Sequence, residues 1–395
     1  MSVSSPTERT GRIVARMTAR RRDEAHRTST PLELFFDLCF VVAVAQAGIS
    51  LVHALAENHF GGVLSYLFVF FGIWWAWMNF SWFASAYDCD DVPYRLLTLL
   101  QMAGVLVFAA GVSRAFDDGD WTLTVVGYIL MRAALTSQWL RASRGETGAA
   151  ARTTRRYAAG LLLCQAGWVG LLFAPADGQR WVFALLALAE LSVPVIAERD
   201  HQTSWHPEHI IAERYGLFTI IVLGETIAAA TVAVKSGLDE HHALDTLLPT
   251  AAGGLLIVFA AWWIYFAVPA HTYLRSNRQS IPWGYGHYVV FAAAAAIGAG
   301  LEVVVEHAIG EAHISAVSAN AAVTVPTAGY LAMVWLIHIR HHASGTAQAT
   351  LPVTAVAVLA CTYAGDAAVL LAGLICAAAT TVIALNTPGA SAATA

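Results

Sequence analysis

Seven residues are of types that do chemistry: Glu33, Asp37, Asn79, Arg132, Glu190 and Glu225, set in otherwise apolar stretches, and Glu213 at the end of a polar one. A carboxylate among apolar neighbours must pair, take up a proton or meet water, so such acids mark proton and cation sites. Glu33 and Asp37 are four residues apart and share one helix face, which Val41, Val44 and Gly48 continue. Asp37 is expected to gate or coordinate a cation at the mouth of that stripe. The same two acids would equally suit a helix start, where negative charge meets the dipole and nearby arginines supply partners. Glu225 falls eleven residues beyond Arg214, near the middle of an apolar stretch. Glu190, Arg132 and Asn79 lie deep enough in their own stretches to meet it. Arg132 with either glutamate would form a buried ion pair that fixes packing, whereas a free Glu225 would bind a proton or cation.

Other spacings carry less. His206, His209 and Glu213 follow an i, i+3, i+7 pattern that one helix face could present to zinc. Pro207 interrupts that face and no HExxH motif accompanies it, so no metal is assigned. The acidic loop Asp88, Asp90, Asp91 is of a kind that holds a divalent metal and a diphosphate. No P-loop, GxSxG or dinucleotide-binding motif is present, so no catalytic residue and no cofactor is expected.

The elements that must position these residues are membrane helices. Charged residues are 12% of the 395-residue chain, about half the usual ~25% of soluble domains. With 57% hydrophobic residues and a mean hydropathy of +0.59, too little polar surface remains to cover a soluble protein. Spans of about 20 apolar residues divide the chain into twelve segments, the last pair near 350–365 and 367–386 being the least separated. With the N-terminus in the cytoplasm, 18 Lys and Arg fall in cytoplasmic segments and three outside, as the positive-inside rule requires. Residues 1–30 read as a basic cytoplasmic arm suited to anionic lipid, without a signal peptide, and 387–395 as a disordered tail. The composition gives no support to nucleic-acid binding.

The chain is also written twice. Glu33-Leu34-Phe35 parallels Glu213-Arg214-Tyr215, Trp74-Trp75 parallels Trp262-Trp263, and Pro93-Tyr94 parallels Pro282-Trp283, at offsets of 180, 188 and 189 residues. These landmarks predict an all-α integral membrane protein of about twelve transmembrane helices. Its halves would be parallel six-helix repeats, 31–197 and 214–386, joined by the linker 198–213, with both termini cytoplasmic.

The stretch Thr30-Pro31-Leu32-Glu33-Leu34-Phe35-Phe36-Asp37-Leu38 resembles the opening signature of the bacterial low temperature requirement protein A family. Glu213-Arg214-Tyr215-Gly216-Leu217-Phe218 through Gly224-Glu225-Thr226 is similar to that family's second signature, and the likeness covers roughly residues 28–345. It implies a multispanning protein of the bacterial inner membrane and no particular chemistry. The six-span repeats and Phe35-Phe36-Asp37 also resemble the two-repeat lysosomal potassium channels, although Leu217 stands where the second repeat would carry the Asp. The function expected is a secondary transporter or channel for a small ion or small molecule, linked to the acids above. The alternatives are a membrane-embedded enzyme acting on a lipid or isoprenoid, and a non-catalytic scaffold or sensor.

Overall fold

Every apolar segment of the sequence winds into an α-helix. In the computed structural model, which describes residues 13–21, 28–206, 210–241, 244–270, 273–274, 276–341 and 346–386, there are twelve α-helices and no strand among the described residues. They are α1 (Pro31–Ala56), α2 (Gly61–Tyr87), α3 (Val92–Asp117), α4 (Thr122–Gly145), α5 (Gly148–Leu171) and α6 (Ala176–Ala197). Then follow α7 (Ala212–His241), α8 (Leu244–Phe266), α9 (Asn277–Ile309), α10 (Ala316–Ile337), α11 (Thr346–Cys361) and α12 (Ala368–Asn386). The tail 387–395, residues 1–12 and 22–27 of the arm, and His209 of the candidate zinc pattern lie outside the described residues.

Nine of these helices are long and apolar enough to cross a bilayer. α4 and α5 do not meet that standard although each has 24 residues, roughly 36 Å. Their arginines lower the hydropathy: Arg132, Arg141 and Arg144 on α4, and Arg152, Arg155 and Arg156 on α5. The final pair is two helices, separated by a turn at Gly365–Ala367, with α11 only 16 residues long.

The chain divides into two compact units. Unit 1 comprises Met1–Gln46 and Phe71–Arg214, and unit 2 comprises Ala47–Phe70 and Tyr215–Ala395. Small residues set the helix crossings within each, as they must where lipid supplies no hydrophobic drive for association. In unit 1, a Cβ on Gly127 of α4 would strike the backbone of Phe108 on α3. In unit 2, Gly253 of α8 meets Gly373 of α12 backbone to backbone, and Gly300 of α9 leaves no room for a side chain beside Ala322 of α10. Trp74, Trp75, Trp77 and Trp82 are all buried in the bundle, whereas Trp262 and Trp263 are about half exposed, at 47% and 49%.

The described part of the N-terminal arm is an extended strap against unit 1. The Ala15 amide donates to Asp91 (2.6 Å), the Ala19 amide to Glu146 (2.7 Å) and the Arg20 amide to the Ala86 carbonyl (2.8 Å). Ser204 in the linker donates to the Arg20 carbonyl, and Met17 is buried against Gly145.

Candidate functional site

The start of α1 is fixed by a reciprocal cap: the Thr30 amide donates to the Glu33 carboxylate (2.7 Å) and the Glu33 amide to the Thr30 hydroxyl (3.2 Å). The neighbouring Ser29 amide donates to Glu213 at 3.0 Å, so both acids anchor helix starts. One turn beyond Glu33, Asp37 is fully buried and receives the Trp77 indole N–H at 2.7 Å and the guanidinium of Arg214. Arg214, also fully buried, lies 5.9, 5.8 and 5.6 Å from the ring centroids of Phe36, Trp77 and Phe80. Aromatic faces favour a desolvated guanidinium, so the pair is held by rings as well as by charge. Glu33, Asp37 and Glu213 are thus brought together within unit 1, and Arg214 is the partner that sequence reasoning counted only as a cytoplasmic charge. Its signal was its place beside Glu213 at the head of the second signature.

A second polar node lies deeper in unit 1. Glu190 of α6 is fully buried and five donors converge on it. They are Arg132 (2.6 Å), the indoles of Trp75 (3.0 Å) and Trp168 (3.2 Å), the Tyr128 hydroxyl (3.2 Å) and the Gln165 amide (3.4 Å). A carboxylate enclosed in this way ties α2, α4, α5 and α6 together. Asn79 does not join the node; its amide donates to the Trp75 carbonyl of its own helix.

Glu225 is a member of neither cluster. It lies in unit 2 on α7, half-buried, and among the described residues it makes no hydrogen bond or ion pair. The candidate span of α7 is Ala212–Val232, which puts Glu225 roughly 4–5 Å beyond its midpoint.

The acidic loop is already satisfied by the protein. Asp90 pairs with Arg95 through two bonds of 2.8 Å, and the Asp88 carboxylate accepts the Asp90 amide at 3.1 Å. Asp91 caps α3 through the Tyr94 amide (3.0 Å), receives Ala15 of the strap and pairs with Arg141. Burial raises the Asp91 carboxyl, but the bonds from Arg141, Ala15 and Tyr94 outweigh it and hold it below the usual carboxylate range. No group of three or more His, Cys, Asp and Glu among the described residues is arranged to hold a metal.

Unit 2 has a buried aromatic and imidazole cluster that the sequence reading passed over. His287 on α9 places Nδ1 2.8 Å from the Trp283 carbonyl and Nε2 2.8 Å from the Tyr265 hydroxyl, and the Trp283 indole donates to His338 Nε2 at 3.2 Å. A carbonyl only accepts, so Nδ1 carries the proton shared with Trp283, and Nε2 faces the Tyr265 hydroxyl. The rule that ionisable groups inside apolar stretches need an account applies to these histidines as it does to acids.

The family described as bacterial low temperature requirement A protein (LtrA) matches residues 28–385. An uncharacterized protein, RA0937, of Rhizobium meliloti (strain 1021) is 29% identical over 255 residues. That alignment takes in 62% of this chain and 60% of the relative, so the chain spans well under two thirds of the relative's length. No solved structure matches the chain.

Proposed function

The chain belongs to the bacterial low temperature requirement A family, and from that premise we propose that it carries protons or small cations across the bacterial inner membrane, with Glu225 as the binding group. The observation behind this reading is the contrast among its acids. Asp37 and Glu190 are each closed by an arginine and indole donors, while Glu225 sits in a span with no partner among the described residues. An acid so placed exchanges a proton or a cation with whatever reaches it. Asp37 and Arg214 act as a fixed post at the head of α1 and α7, and the arginine-rich arm faces anionic lipid in the cytoplasmic leaflet. The lipid-enzyme alternative loses support, because the carboxylates of Asp90 and Asp91 are taken up by Arg95, Arg141 and the α3 cap.

The test is flux in proteoliposomes with an internal pH dye and an imposed potassium gradient. Wild-type protein should conduct above empty liposomes and Glu225→Gln should not, with both equally well folded. Equal flux in the two proteins would remove Glu225 from the pathway.

A further inference from the structure

Unit 2 contains a cavity of about 230 Å³ between α7, α8 and α9. Ile227, Leu255, Val258, Leu301 and Val305 line it, and Val305 also packs on Leu247. The hollow exists because the residues that would fill it are small: Ala230 on α7, with Ala251 and Gly254 on α8. At roughly 100° per residue, Ile227 and Val234 of the lining lie about 160–180° round α7 from Glu225, so the cavity is separate from the proposed ion site.

Three threonines line this space, and two are satisfied. Thr226 donates to the Val222 and Ala294 carbonyls (3.1 and 2.8 Å) and Thr231 to the Ile227 carbonyl (2.7 Å). Thr250 is only 6% exposed, and its hydroxyl makes no hydrogen bond among the described residues. A hydroxyl that meets only apolar walls forgoes a hydrogen bond that a ligand could supply. Water would need two to four polar partners, and a bilayer acyl chain offers the hydroxyl nothing. The space is larger than the ~150 Å³ cavity that admits benzene.

We propose that this cavity binds a compact lipophilic alcohol or phenol, its apolar body between Ile227 and Leu301 and its hydroxyl bonded to Thr250. The binding is independent of Glu225 and of ion flux, so failure of either reading leaves the other standing.

The test is photolabelling of purified full-length protein with two probes, a diazirine-bearing octanol and a diazirine-bearing octane, with labelled residues mapped by mass spectrometry. The alcohol should label Ile227, Leu255 or Leu301 and be displaced by excess 1-octanol. Thr250→Val, nearly isosteric, should lower alcohol labelling about fivefold, the equivalent of one hydrogen bond, without changing octane labelling. Ala251→Phe, or Ala230→Leu if that variant is not monodisperse, should abolish labelling at the lining residues by both probes. Labelling that is equal for both probes and indifferent to Thr250→Val would make the cavity an acyl-chain slot and overturn the proposal. Labelling that misses the lining residues would overturn it as well.

Discussion

Asp37 and Glu225 both read as ion-binding acids in the sequence, yet their surroundings predict opposite responses to neutralisation. Asp37→Asn leaves the Arg214 charge buried without its counter-ion, which should cost about 3–5 kcal/mol. Replacing both partners, as in Asp37→Asn with Arg214→Met, removes the stranded charge and should recover most of that loss, read as the midpoint of unfolding in mixed micelles. Glu225→Gln should shift the same midpoint by no more than about 0.5 kcal/mol, because no partner is left behind. A loss of flux in Asp37→Asn therefore counts toward a pathway only if the double variant loses it too. The sequence showed which residues were out of place in lipid. It could not show that Arg132 would choose Glu190, or that Arg214 would choose Asp37 across 177 positions of chain, because periodicity assigns a residue to a face and says nothing of which faces meet.

At the scale of elements, twelve apolar segments became twelve helices, and for nine of them the bilayer imposes a length that hydropathy reveals directly. The strap was not legible: residues 13–21 read as part of a charged arm, and their docking depends on backbone bonds that side-chain patterns do not encode. Gly145 admits the strap, because any side chain there would collide with the Met17 backbone. Gly145→Ala should release it, seen as increased mobility of a nitroxide at Val14→Cys, a position 65% exposed, with Cys39 and Cys89 replaced by alanine. Acid should do the same. The Asp91 carboxyl is depressed in the folded protein, so its contribution is complete above its ordinary value of 3.8 and disappears as the pH falls through the lower folded value. The label should stay immobile at pH 5 and become mobile only below pH 3.8. At the α3–α4 crossing, Gly127→Val should separate the pair at Phe108 and lower the yield of folded protein, measured as the monodisperse fraction on gel filtration.

At the scale of the whole molecule, composition alone identified a membrane protein, because a chain with 12% charged residues cannot cover itself in water. The two halves share sequence landmarks without sharing surroundings. The tryptophan pair of the first half is buried and that of the second is half exposed, and the second half buries two histidines, His287 and His338, that have no counterpart among the landmarks. Sequence offsets could not foresee this, since a landmark gives a residue type while burial depends on what packs around it. The strap also orders events during synthesis. Residues 13–21 leave the ribosome before α1, yet Glu146, Ser204 and His206, which hold them, follow more than a hundred residues later. Until Ser204 has emerged, the opening stretch has no complete seat. This stretch, made before α1, is therefore among the last of unit 1 to settle, and a nascent chain halted before residue 204 would still carry it loose.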